Sequence, residues 1–244
     1  MSHIKDFLSE LQTISNEDTI SIVVPSVNRE VNFKTLTVKQ YKDILKNTLD
    51  GVAGNIKLGS TLNNIVTRNS LEPIEFTLYD KNYILTQLRK QSLGDVVQIR
   101  DNTYNLNDLP KFLFNFKFEK NISYKDIIVE LEIPTLALDT AVTDACYNTI
   151  TKQYSDASTI NEAISVILTY ELSKFISAVS IHGNATDLTR ITVNERKSIV
   201  DNLPLVINNK LIEYITEYRK YEQSFYRFNN DVDLSIDGNF LTSA

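Results

Sequence analysis

The stretch YDKNYILTQLRKQSLGDVVQI, residues 79–99, passes from one kind of order to another across a single glycine. Leu78, Leu85 and Leu88 fall on or near one face at helical spacing, with Tyr83 and Ile84 beside them. Thr77-x-x-Asp80 supplies a helix-start signal. Arg89 and Lys90 place positive charge in the last turn, where the helix dipole favours it. Gly94 can take the left-handed conformation that closes a helix, and DVVQI after it reads as a strand. A chain built round such a corner mixes helix and strand, so the expected class is α+β.

The rest of the chain fits that class. With only six glycines and five prolines in 244 residues, the regular elements should be long. Ile4, Phe7, Leu8, Leu11 and Ile14 recur at helical spacing and predict an opening amphipathic helix. Two β-rich runs flanking PSVN read as a hairpin. Thr37-x-x-Gln40 is a capping box, with Val38, Tyr41, Leu45 and Leu49 on one face of the helix it starts and Gly51 as the stop. A further helix is expected over about 58–69. KFLFNFKFE and DIIVELEI read as strands. After Pro134 the period changes, and helices are expected over about 135–151, 159–181, 192–202 and 204–226, with capping boxes at Thr159/Glu162 and Thr192/Glu195. The expected organisation is a mixed α/β region, 1–134, and a mainly helical region, 135–244, with a terminal β-like tail. Pro134 marks either a domain boundary or a change of layer within one fold. The sequence shows no internal repeat.

Charge and chemistry narrow the function. Residues 1–100 carry 12 basic and 11 acidic side chains, whereas residues 101–244 carry 13 and 20. That C-terminal acidity opposes a phosphate backbone, so nucleic acid is not an expected partner. No stretch approaches the roughly 18 apolar residues of a membrane span, and the opening residues do not read as a signal peptide. A lone Cys146 excludes an intrachain disulfide and fits a reducing compartment. With His3 and His182 as the only histidines, one chain cannot build a Cys/His zinc site. His182 reads as a residue at a helix end, and Cys146 as a buried inert thiol. DVDLSIDG resembles a calcium loop, but its twelfth position is Ala244 where a bidentate Glu is needed. No catalytic residue, metal ligand or cofactor site is expected. YITEYRKYEQSFYRF places Tyr214, Tyr218, Tyr221 and Phe225 at three- and four-residue intervals, with Arg219 among them. Such a stripe faces a core or a partner. At least one of the four aromatics is expected at the surface, as a partner-binding anchor.

The segment at 79–99 resembles a signature of the baseplate hub subunit family of T4-like contractile-tailed phages, carried by Asp80, Leu85, Leu88, Arg89, Ser92 and Gly94. VNFKTLTVKQYKDIL, through Thr37 and Lys39, is similar to the family's strand, turn and helix, and FYRFNNDVDLSIDGNFLTS looks like its terminal β-segment. Some relatives carry a Cys-x-x-Cys-like knuckle before that last strand; Tyr226–Asp233 contains no cysteine. The resemblance implies a hub component or hub-assembly factor that works by protein–protein contact with other hub or tail proteins. A transient tail-assembly chaperone, or an enzyme with a dispersed site, are the competing classes. The resemblance further implies assembly in the host cytoplasm and a place in the tail baseplate. Homo-oligomerisation is left open.

Overall fold

The computed structural model describes Ile4, Phe7 and residues 18–112, 119–154, 160–229 and 232–242. Leu8, Leu11, Ile14, the Thr159 cap and the centre of KFLFNFKFE lie outside the described residues.

Strands β1 (Thr19–Val24) and β2 (Arg29–Lys34) form the expected antiparallel hairpin, Val24 opposite Arg29. Helix α1 (Val38–Leu49) starts at the Thr37/Gln40 capping box. Gly51, at φ 63°, turns the chain at once into α2 (Gly51–Asn69), so the expected stop is also a start and α2 opens well before residue 58. Helix α3 (Leu78–Leu93) leads through Gly94 into β3 (Val96–Ile99), which pairs with β4 (Asn102–Asn105). Next come β5 (Asn121–Tyr124), β6 (Ile127–Leu131), α4 (Leu136–Gln153), α5 (Ile160–Lys174), β7 (Ile176–Ile181), β8 (Asn184–Asp187), α6 (Val193–Asp201) and α7 (Leu205–Ser224). Strands β5 to β8 form one antiparallel sheet in chain order. Among the described residues, no helix is long and apolar enough to cross a membrane.

Three sequence expectations need correction. The helix over 159–181 ends at Lys174, and ISAVSI becomes a strand. Ile176 and Val179 face a core, and β7 pairs with β6 on one side and β8 on the other. That long-range pairing decides the local conformation. His182 therefore sits in a β-turn at φ 52°, not at a helix end, with Nδ1 3.3 Å from Asp126 Oδ2. The α1 stripe is also displaced: Ile44 is its buried residue, while Val38 and Leu49 stay 72% and 83% exposed. The C-terminal tail explains part of this, because it lies along a neighbouring flank and takes the Tyr41 hydroxyl on Thr242 O at 3.0 Å.

A small unit recurs that the sequence did not reveal. β3 and β4 join through a turn with Arg100 at φ 56° and run into a 3-10 helix at Leu106–Asp108, capped when the Asn105 side chain accepts from Asn107 N. β7 and β8 join through His182 and run into a 3-10 helix at Leu188–Arg190, capped when Asp187 accepts from Thr189 N. Leu106 and Leu188 are buried at matching places.

Among the described residues, three apolar clusters hold the fold. The first joins β1–β2, α1, α2 and α3 with Phe225, Phe228, Leu234 and Phe240 of the C-terminal tail. The second packs α7 on the four-stranded sheet, and the third lies between α4 and α5. The sheet thus takes two strands from before Pro134 and two from after it.

Candidate functional site

The motif residues of α3 are fasteners. Asp80 is fully buried at the first turn. Its carboxylate accepts from Thr77 N at 2.8 Å and from the Thr77 hydroxyl at 2.9 Å, capping the helix. Its other oxygen accepts from Ser26 N at 2.8 Å and so ties down the turn of the β1–β2 hairpin. Leu85 and Leu88 point into the first core. Ser92 Oγ accepts from Leu36 N at 3.2 Å, anchoring the link between β2 and α1. Gly94 has φ 90° and ψ 173°, a region open to glycine alone rather than the left-handed helical one.

Arg89 completes the corner. Its fully buried guanidinium donates to Gly94 O, to Val96 O at 2.8 Å and to Phe240 O at 3.0 Å, and lies 5.3 Å from the Phe240 ring centre. One side chain therefore holds the helix end, the start of β3 and the C-terminal tail. Burial pulls its pKa down from the usual arginine value, against the pull of Asp95. The second recurring unit has a counterpart that sequence reasoning missed. Buried Arg196 of α6 donates to Leu188 O at 2.6 Å, Ile176 O at 2.7 Å and Ser173 O at 2.9 Å, clasping the α5–β7 corner from the following helix.

The aromatic stripe of α7 turns inward. Tyr214, Tyr218 and Phe225 are buried and Tyr221 is half-buried. Tyr214 and Tyr218 meet Phe175 edge-on, Phe225 lies 4.6 Å from the Phe112 ring, and Tyr221 stands edge-on to Phe225 at 5.0 Å. Tyr214, Tyr218 and Phe225 do not meet the expectation of an exposed aromatic, because the sheet and α3 already cover that face, while Tyr221 keeps part of its surface. Arg219 stays exposed and pairs with Glu171 at 3.1 Å.

Where α2, α3, α4, α5 and α7 converge, they line a half-open cavity of about 330 Å³ carrying charges that the sequence reading did not group. Buried Lys174 meets Asp139 at 2.6 Å, contacts Glu171, and donates to Thr143 Oγ1 at 3.3 Å. Asn63 donates to Asp139 at 2.6 Å, and Lys81 stands 4.0 Å from it. Asn82 donates to Glu222 Oε1 at 2.8 Å. These partners hold the Asp139 pKa down and the Lys174 pKa up despite burial, so both stay charged. Burial pushes the Cys146 thiol up to about 11, the environment of an inert thiol. Burial also pushes Glu222 up to about 7, against Lys81, Asn82 and Arg219. The cluster's only signal in the sequence is charge set within apolar helical runs, as at Lys174 in ELSKF. In the tail, Asp233 pairs with Arg227 at 2.7 Å and Asp237 accepts from Phe240 N, so the calcium-like residues serve the tail's own packing. Among the described residues, no three His, Cys, Asp or Glu side chains gather as a metal site would need.

A mixed α/β body whose most distinctive residues fasten one segment to another has the build of a structural component. A family model described as T4 bacteriophage base plate protein matches residues 17–224, a span that contains the whole α3 corner and all of α7. The chain belongs to this family of bacteriophage baseplate proteins. Neither the curated proteins nor the solved structures contain a match to it.

Proposed function

We propose that the chain is a component of the baseplate hub and acts by protein–protein contact, assembling in the host cytoplasm with other hub or tail proteins. Its membership of the baseplate family over residues 17–224 carries this reading. The physical reading supports it. Asp80, Ser92 and Arg89 are spent on internal fastening, and among the described residues Cys146 is buried with a raised pKa while His182 is exposed beside Asp126. Large apolar side chains remain outside: Val38, Leu49 and Val52 around the α1–α2 elbow, and Leu205 and Val206 at the start of α7. Exposed apolar groups of this kind suit burial against neighbours in an assembly. The C-terminal acidity disfavours nucleic acid as one of those neighbours.

Cross-linking mass spectrometry on isolated baseplates tests the proposal. Cross-links from Lys39, Lys42 or Lys46 of α1 to central hub proteins are expected. Cross-links confined to peripheral baseplate proteins would place the chain outside the hub. Recovery only in soluble complexes that precede the baseplate would make it a transient assembly chaperone.

A further inference from the structure

The charged cavity between the helices is built for more than the ion pairs it contains. Lys174, Asp139, Glu171 and Arg219 satisfy one another. Among the described residues, that leaves Lys81 with no ion pair closer than Asp139 at 4.0 Å, and Glu222 with the Asn82 amide but no ion pair. Both side chains line the same cavity, from neighbouring helices α3 and α7. Above about pH 7, where Glu222 is ionised, the three cations Lys81, Lys174 and Arg219 balance the three carboxylates Asp139, Glu171 and Glu222. A guest carrying a single charge would pair with one of Lys81 and Glu222 and leave the other without a partner. A guest carrying one charge of each sign would keep the balance and give both spare groups a partner. Ile56, Leu62, Ile167 and Ile236 supply an apolar wall beside them, and about 330 Å³ lies within the range of small-molecule sites.

We propose that this cavity binds a small apolar zwitterion of the free α-amino acid class, its carboxylate on Lys81 and its ammonium on Glu222. The inference does not rest on the hub reading, and its test uses only the purified full-length chain. The probe is L-leucine in isothermal titration calorimetry at pH 8, where Glu222 is ionised. Its two single-charge analogues are 4-methylpentanoate, which lacks the ammonium, and isoamylamine, which lacks the carboxylate. L-leucine is expected to bind, with each analogue weaker by about tenfold or more, the cost of one unmatched charge. Lys81→Met and Glu222→Gln should each lower leucine affinity by a similar factor while circular dichroism shows an unchanged fold. Glu222→Gln keeps an acceptor for Asn82, so it separates loss of charge from loss of structure. Absence of leucine binding to the wild-type chain, equal binding of either analogue, or variants that bind as the wild type does would each overturn the proposal. The last result would leave the cavity as a solvated gap between helices.

Discussion

Replacing Arg89 by Met tests whether α3 fastens the molecule. Methionine keeps most of the stem's volume, so little packing is lost, but the guanidinium bonds to Gly94 O, Val96 O and Phe240 O disappear. A hydrogen bond from a charged donor contributes about 1.5–3 kcal/mol net. The bond to Phe240 O is fully buried, and its loss strands an acceptor away from water. Gly94 O and Val96 O are only partly buried, so water can replace much of what they lose. Removing a buried cation also relieves its desolvation, which the lowered Arg89 pKa records. Weighing one bond lost in full against two partly replaced, the expected loss is about 3–4 kcal/mol. Urea unfolding followed by far-ultraviolet circular dichroism measures it. Hydrogen exchange should also show faster opening of the tail around Phe240 and Leu241 than of α2. Arg89→Lys should recover less than half the loss, since one ammonium cannot reach three diverging carbonyls. A loss below about 1 kcal/mol for Arg89→Met, or a tail that opens no faster than α2, would refute the fastener argument.

Gly94→Ala isolates backbone strain. A Cβ there would meet nothing within 4 Å, so the expected cost of about 1–3 kcal/mol is conformational, and an unchanged denaturation midpoint would count against it. Asp139→Asn leaves Lys174 with Glu171 as its remaining ion-pair partner and should cost about 3–5 kcal/mol, read from the same urea titration. Glu222 sets a pH dependence. Between pH 4.5 and about 7 the unfolded chain ionises this carboxyl while the folded one keeps its proton, so stability falls through that window and levels off above it. At about 1.4 kcal/mol per pKa unit the fall is about 3–4 kcal/mol, and Glu222→Gln should flatten it and be the more stable form at pH 8; an unchanged pH profile would contradict this.

The α3 corner was legible because its signals are local. A Thr and an Asp three residues apart cap the helix, basic residues sit in its last turn, and a glycine closes it. The partners of those residues were not legible. Nothing near Asp80 in sequence indicates Ser26, and nothing near Arg89 indicates Phe240. Strand β7 was misread for the same reason: its apolar residues suit either period, and only pairing with β6 and β8 decides between them. In α7 the periodicity identified one aromatic face correctly but could not say whether protein already covered it. The charged cavity draws on Lys81, Asp139, Lys174 and Glu222, which only the fold brings together.

The central claim is that this chain is a built-in part of the phage tail. Quantitative mass spectrometry of purified virions, set against the infected-cell lysate, tests it most directly. The account predicts the chain in the particle, at a fixed ratio to the other baseplate proteins. Abundance in the lysate with absence from washed particles would contradict it.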